Sequence, residues 1–190
     1  MTTLKIDPAR LATSIEANDE RPDPVTCGDF DMRIARDGTW FYHGSPIGRK
    51  PLVKLFASVL NRDEDGVFWL ITPVEKGRVE VDDAPFLAVE VTVTGEGRDQ
   101  RLRFRTTLDD EVTADDDHRL RVAIDAATGE PSPYILVRGR LEALIGRSVF
   151  YELVERGVEE IVAGETVFGV WSAGCFFPLG SLAGRPGGES

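Results

Sequence analysis

Three short segments of this 190-residue chain occur twice, in the same order. Met32-Arg33-Ile34-Ala35 is matched by Leu120-Arg121-Val122-Ala123, Ile47-Gly48-Arg49 by Ile145-Gly146-Arg147, and Val67-Phe68 by Val167-Phe168. The first pair falls in runs with strand character, the second opens runs of helical periodicity, and the third follows each helix. A unit ordered strand, helix, strand and present twice constrains the fold strongly, because each copy must bury its own apolar face. The chain therefore reads as an α+β protein of two domains with a duplicated strand-helix-strand core and antiparallel sheets. Residues 27–80 make the first domain and 81–180 the second.

Local patterns fill in each copy. Residues 1–26 read as a short helix capped by Asp7, with Pro8 in its first turn, followed by an extended linker containing Pro22 and Pro24. A strand over Asp29–Ala35, a turn at Arg36-Asp37-Gly38-Thr39 and a strand over Trp40–Tyr42 form a hairpin, since Asp-Gly suits the left-handed positions of a tight turn. A helix is expected from Arg49 to about Leu60, burying Leu52, Leu55, Phe56 and Val59, and Val67–Ile71 reads as a central strand. In the second domain, strands are expected over Phe86–Thr94, with Leu87, Val89, Val91 and Val93 on one face, and over Arg101–Arg105, His118–Ile124 and Tyr134–Arg138. A helix over Arg147–Arg156 and a last strand over Thr166–Trp171 complete the domain, and from Gly180 the chain reads as a disordered Gly-rich tail, with 181–190 outside the domain.

Charge narrows the partners. With 33 acidic against 22 basic residues the net charge is −11, so a nucleic acid polymer and an anionic membrane surface are both disfavoured. A small anion is not, because a local cluster of arginines can invert the field within one cleft. No apolar run approaches the roughly 20 residues of a membrane span, and the N-terminus lacks the apolar core of a signal peptide. Cys27 and Cys175 lie far apart and are read as thiols in a reducing cytoplasm.

Catalytic patterns are absent from the sequence. The acidic runs Asp63-Glu64-Asp65-Gly66 and Asp115-Asp116-Asp117-His118 lack the spacing of a calcium loop, and neither His43 nor His118 has a second metal ligand at helical or turn spacing. No metal or cofactor is expected. Ser45, in Gly44-Ser45-Pro46-Ile47, has no second glycine of a nucleophile elbow, though His43 stands nearby. Arg101, Arg103 and Arg105 share a strand face and are expected to pair with Glu90 and the acidic loop that follows.

Arg49 and Arg147 are different. Each stands at a predicted helix N-terminus, where the macrodipole disfavours a cation by roughly 0.3–1 kcal/mol. Two explanations fit a repeated local violation: a ligand anion held by arginine and free backbone N–H groups, or an internal carboxylate in the same place. Arg138 and Tyr134 lie upstream of the second copy and could serve a phosphate and a base; Tyr42 and His43 complete the candidate ligand-binding set.

Several longer runs carry a family resemblance. Asp37-Gly38-Thr39-Trp40, Gly44-Ser45-Pro46-Ile47, Leu55-Phe56-Ala57-Ser58-Val59-Leu60, Thr72-Pro73-Val74-Glu75 and Asp82-Asp83-Ala84-Pro85-Phe86, then Pro133-Tyr134, Val137-Arg138, Leu141-Glu142-Ala143 and Gly169-Val170-Trp171-Ser172, resemble the bacterial domain-of-unknown-function family 1285 in order over residues 27–180. The resemblance implies a duplicated core and a C-terminal half like a pleckstrin-homology barrel. It also implies a ligand site between the halves, suited to a nucleotide-based molecule, and a role in signal transduction. The expectation is a non-enzymatic module binding a small anionic or nucleotide-like ligand; the alternative is a protein-interaction module without one.

Overall fold

The computed structural model describes residues 25–181, so the expected N-terminal helix and nearly all of the expected tail lie outside the described residues. The chain divides into two compact units, one running to Phe86 and taking in Gly139–Leu141, the other made of Leu87–Arg138 and the chain from Glu142 onward.

The first unit contains β1 (Val25–Ile34), β2 (Trp40–Tyr42), β3 (Ser45–Pro46), helix α1 (Lys50–Ser58), β4 (Leu60–Arg62), β5 (Phe68–Ile71) and β6 (Glu75–Val81). These strands form one sheet in the order β3-β2-β1-β6-β5-β4. Two antiparallel meanders meet where β1 and β6 run parallel, so the sheet is mixed rather than wholly antiparallel as expected. The parallel seam is tight. Gly28 lies opposite Gly77, and a Cβ on Gly77 would come within 2.3 Å of the Phe30 ring, which is 2% exposed. Glycine is required there because the aromatic ring lies across the strand.

α1 buries Val53, Phe56 and Ala57, while Leu52, Leu55 and Val59 are half-buried. The helix is therefore turned by about one position from the expected face. β5 has only Leu70 buried, with Phe68, Trp69 and Ile71 half-exposed, so it is an interior strand but not a doubly covered one. The core of this unit gathers Phe30, Met32, Ile34, Trp40, Phe56 and Leu70.

The second unit begins with β7 (Phe86–Thr94), a 3-10 turn at Gly97–Asp99, β8 (Arg101–Thr106) and β9 (Glu111–Thr113). It continues with β10 (Leu120–Ile124), β11 (Pro131–Arg138), β12 (Leu141–Ile145), helix α2 (Arg147–Glu155), β13 (Val158–Val162), β14 (Glu165–Ser172) and β15 (Cys175–Ser181). A six-stranded sheet has the order β10-β11-β12-β7-β8-β9, and a three-stranded sheet has the order β13-β14-β15. β10 also packs beside β15.

Alternation in β8 is as expected: Leu102, Phe104 and Thr106 are buried, while Arg101 and Arg103 are exposed and Arg105 is half-exposed. β7 departs from its expected face. Ala88 pairs with Thr106 but Glu90 with Arg105, so a bulge intervenes at Val89. The bulge resets the alternation, burying Phe86 and Ala88 before it and Val91 after it, with Val89 left 40% exposed. β3, β4, β6, β9, β12, β13 and β15 lie outside the runs expected as strands, and β15 carries ordered sheet to Ser181 through residues expected to begin the tail.

Candidate functional site

Each candidate ligand residue is taken within its own unit. Tyr42 and His43 sit at a two-residue turn between β2 and β3. His43 (φ +47°) and Gly44 (φ +74°) are both left-handed, as a tight hairpin requires. The His43 backbone N–H donates to the Asp31 carbonyl at 3.0 Å, its Nδ1 hydrogen-bonds the Asp31 carboxylate, and the Tyr42 ring lies 4.1 Å from the imidazole. Asp31 is itself left-handed at φ +52°, at an irregularity in β1. No hydrogen bond joins His43 to Ser45 among the described residues, so nothing there activates the hydroxyl.

Arg49 caps α1 without a side-chain hydrogen bond and is exposed. Pro51 removes one N–H from the first turn, and the N–H groups of Leu52 and Val53 both donate to the Arg49 carbonyl, at 3.0 and 3.1 Å. Few donors remain for an anion at this helix. α2 differs. Its ladder begins with the Phe150 N–H donating to the Gly146 carbonyl at 2.9 Å, leaving the N–H groups of Arg147, Ser148 and Val149 outside it. There is no acidic residue in that turn and no side-chain cap. Among the described residues neither Arg49 nor Arg147 has a carboxylate partner, so the internal-carboxylate explanation has no counterpart in the structure.

Tyr134 and Arg138 share one side of β11 but are four residues apart, about 13 Å at the usual strand rise. Tyr134 is 8% exposed, and the Arg121 guanidinium covers its ring at 4.3 Å while bonding Glu142 at 2.6 Å. Arg138 donates to Asp110 at 3.4 Å. The acid-pairing expected for the β8 arginines is present: Arg105 with Glu90 and Asp109, and Arg103 with Glu111.

The first unit holds a second cluster, one that local sequence pattern does not show. Trp69 on β5 lies opposite Arg78 on β6, and residues opposite each other in a ladder project to the same face. Lys76, two residues from Arg78, shares that face. Its ammonium lies 4.2 Å over the Trp69 ring, and the Arg78 guanidinium lies 5.9 Å away. On the opposite face, where Phe68 pairs with Arg62 and with the buried Val79, the Arg62 guanidinium of β4 lies 5.2 Å over the Phe68 ring. Among the described residues none of these three cations has a carboxylate within ion-pair distance. Trp69 Nε1 donates to Asp63 at 2.7 Å and the Val67 N–H donates to the same carboxylate at 2.8 Å; together they hold the Asp63 carboxyl below its ordinary value.

Beside this cluster an open groove of about 360 Å³ is lined by Asp29, Gly66, Val67, Phe68 and the β6 segment Arg78–Val81. Its carboxylates, Asp29 and Glu80, accept hydrogen bonds, while Arg78 donates them. No group of three or more His, Cys, Asp or Glu residues is placed to hold a metal among the described residues. No helix among them is long and apolar enough to cross a membrane. Cys175 is a half-buried thiol whose pKa is raised by burial, and the Cys27 side chain lies outside the description.

Two sheet-rich units, each with one short helix among the described residues, define a two-domain, mostly β class of protein, and family models divide the chain similarly. Residues 20–84 match the model described as the N-terminal domain of unknown function DUF1285, and residues 85–179 match the C-terminal domain of the same family. The chain belongs to the DUF1285 family. A DUF1285 family protein from Silicibacter pomeroyi DSS-3, solved at 2.50 Å, is 49% identical, with a TM-score of 0.82 over 93% of this chain and 96% of that one. A second, from Shewanella baltica OS155, is 28% identical, with a TM-score of 0.50 over 65% of this chain and 90% of that one. No curated protein matches the chain.

Proposed function

We propose that this protein is a non-enzymatic binding module of bacterial signal transduction that takes a small anionic, nucleotide-like ligand in the cytoplasm, seated in the first unit's groove. The observation that carries this reading is the pair of cations gathered at the Trp69 ring on one face of the sheet, Lys76 and Arg78, neither within ion-pair distance of a carboxylate among the described residues, with Arg78 also lining the groove. In a chain of net charge −11 such cations are available to a phosphate, and Trp69 beside them offers its ring to a base. The carboxylates of Asp29 and Glu80 in the groove suit ribose hydroxyls, so a nucleotide fits this lining better than a bare phosphate.

The finer architecture belongs to the same proposal. Among the described residues the first unit has three strands, a nine-residue helix and three further strands, and the second unit repeats that order from β10 to β15. The three repeated segments fall on or beside β1 and β10, the starts of α1 and α2, and β5 and β14. The first sheet has the order β3-β2-β1-β6-β5-β4, and in the second unit β12-β11-β10 lies beside β15-β14-β13 in the corresponding order. These correspondences support a duplicated core, with β7, β8 and β9 added before the second copy. The sheet from β7 to β12 followed by α2 supports a pleckstrin-homology-like second half.

A thermal-shift screen of nucleotides and signalling dinucleotides tests the ligand reading, because a ligand at 100 times its Kd adds about 2.7 kcal/mol of stability. Arg78→Ala is expected to weaken the hit by about 1.5–3 kcal/mol, the range for a hydrogen bond to a charged group, without lowering the unliganded midpoint. A screen without a hit, or an Arg78→Ala protein that binds as well as the parent, rejects the site.

A further inference from the structure

The second unit carries an open sheet edge of unusual character. In the order β13-β14-β15, β13 has a neighbouring strand on one side only among the described residues. Its hairpin with β14 closes at Val162 and Glu165 through Ala163 (φ +53°) and Gly164 (φ +87°), a two-residue turn with both positions left-handed. In such a hairpin the closing pair exchanges backbone hydrogen bonds, and alternate residues then do the same. Val162, Glu160 and Val158 therefore face β14 with their N–H and C=O groups. Glu159 and Ile161 direct theirs to the open edge.

Edge strands are ordinarily guarded by shortness, proline, lysine or a bulge. β13 has five residues, an unbroken register and none of those residues. Of the two residues open to the edge, Ile161 is apolar and 77% exposed, and the flanking Val158 and Val162 are each 43% exposed. Tyr151 and Val154 of the preceding helix add 57% and 38% exposed side chains. An exposed apolar edge with free backbone groups is the form of surface that accepts an added strand.

Charge identifies the occupant. Residues 151–165 hold five glutamates and one cation, Arg156. Glu160 is engaged by Arg98 and by Trp171 Nε1, but Glu152, Glu155, Glu159 and Glu165 have no partner among the described residues. A second copy pairing through β13 would crowd four glutamates from the two edges, and like charges across a ladder are destabilising. A partner rich in lysine or arginine meets no such opposition.

We propose that β13 binds an extended segment of a protein partner, alternating apolar with basic residues, as a fourth strand of the β13-β14-β15 sheet. Fluorescence anisotropy of the full chain with a short labelled peptide of alternating valine and lysine tests this, with the valine–glutamate counterpart as control. The valine–lysine peptide should bind at least about tenfold more tightly. Ile161→Pro removes an N–H that faces the open edge, so the hairpin is kept while binding falls at least about tenfold. Should that variant fail to fold, Ile161→Lys at the same exposed position is read instead, with the same loss expected. Equal binding of the two peptides, or undiminished binding by a folded Ile161 variant, overturns the proposal. So does a dimer in sedimentation that either Ile161 variant dissolves, since the occupant would then be a second copy.

Discussion

Arg121 and Arg147 show how far environment decides what one side chain is worth. Arg121 bonds Glu142, whose side chain is 19% exposed, and covers the Tyr134 ring, so it contributes charge pairing and apolar cover together. Arg147 is exposed, has no carboxylate partner among the described residues, and stands where the helix dipole is positive. Removing it frees no buried charge. Arg147→Ala is therefore expected to leave the unfolding free energy from urea denaturation within about 0.5 kcal/mol of the parent, as for other surface substitutions. A loss of about 3–5 kcal/mol would instead reveal a stranded carboxylate and make Arg147 a structural residue.

Among elements, β14 is the strand on which the second unit's two sheets are joined. Ser172 at its end is fully buried, donates its hydroxyl to the Ala114 carbonyl at 2.6 Å and accepts the Leu102 N–H at 3.0 Å. Gln100 strengthens the junction, with its Nε2 donating to the Trp171 carbonyl at 2.7 Å and its own carbonyl accepting the Ala173 N–H at 2.8 Å. Ser172→Ala leaves a buried donor and a buried acceptor unpaired and is expected to cost about 1–3 kcal/mol in chemical denaturation; a neutral result would mean that water replaces the hydroxyl. None of this was readable from local pattern, because a serine ending an apolar run looks like any strand terminus. Local periodicity did give β8, whose Leu102 and Phe104 alternate with arginines, and the starts of both helices. It failed where register or packing intervened. The bulge at Val89 reverses the face of β7, Val158–Val162 lacks alternation because no residue on either of its faces is buried, and Pro178 and Gly180 gave β15 the composition of a tail. The groove cations were hidden for the same reason: Trp69 and Arg78 meet only through the pairing of β5 with β6.

For the whole molecule, acidity sets the range of stability. Four carboxyls are held below their ordinary values in the folded chain. In Asp82 the cause is chiefly the hydrogen bond from Arg33, in Asp63 the Trp69 indole, and in Asp37 the Thr39 backbone N–H. In Asp115 burial opposes the shift, but hydrogen bonds from His118 and Asp117 outweigh it. A depressed folded pKa means that the unfolded chain takes up protons first as pH falls. Stability from these groups is thus complete above the unfolded carboxylate value of about 3.9 and is lost as pH drops through the lower folded values. The alkaline limit has the opposite sign. Burial raises the Cys175 thiol, so the unfolded chain ionises first and stability falls above about pH 8.5. Urea midpoints at fixed ionic strength should form a plateau from about pH 5 to 8 and decline on both sides, with the acid limb the larger because four groups act in concert. Asp82→Asn breaks the charged pair with Arg33, and Asp63→Asn weakens the acceptor of the Trp69 and Val67 N–H groups. The double variant should start from a lower plateau and lose less on acidification. An acid limb of unchanged depth in that variant would assign the acid loss to other carboxylates of this strongly anionic chain.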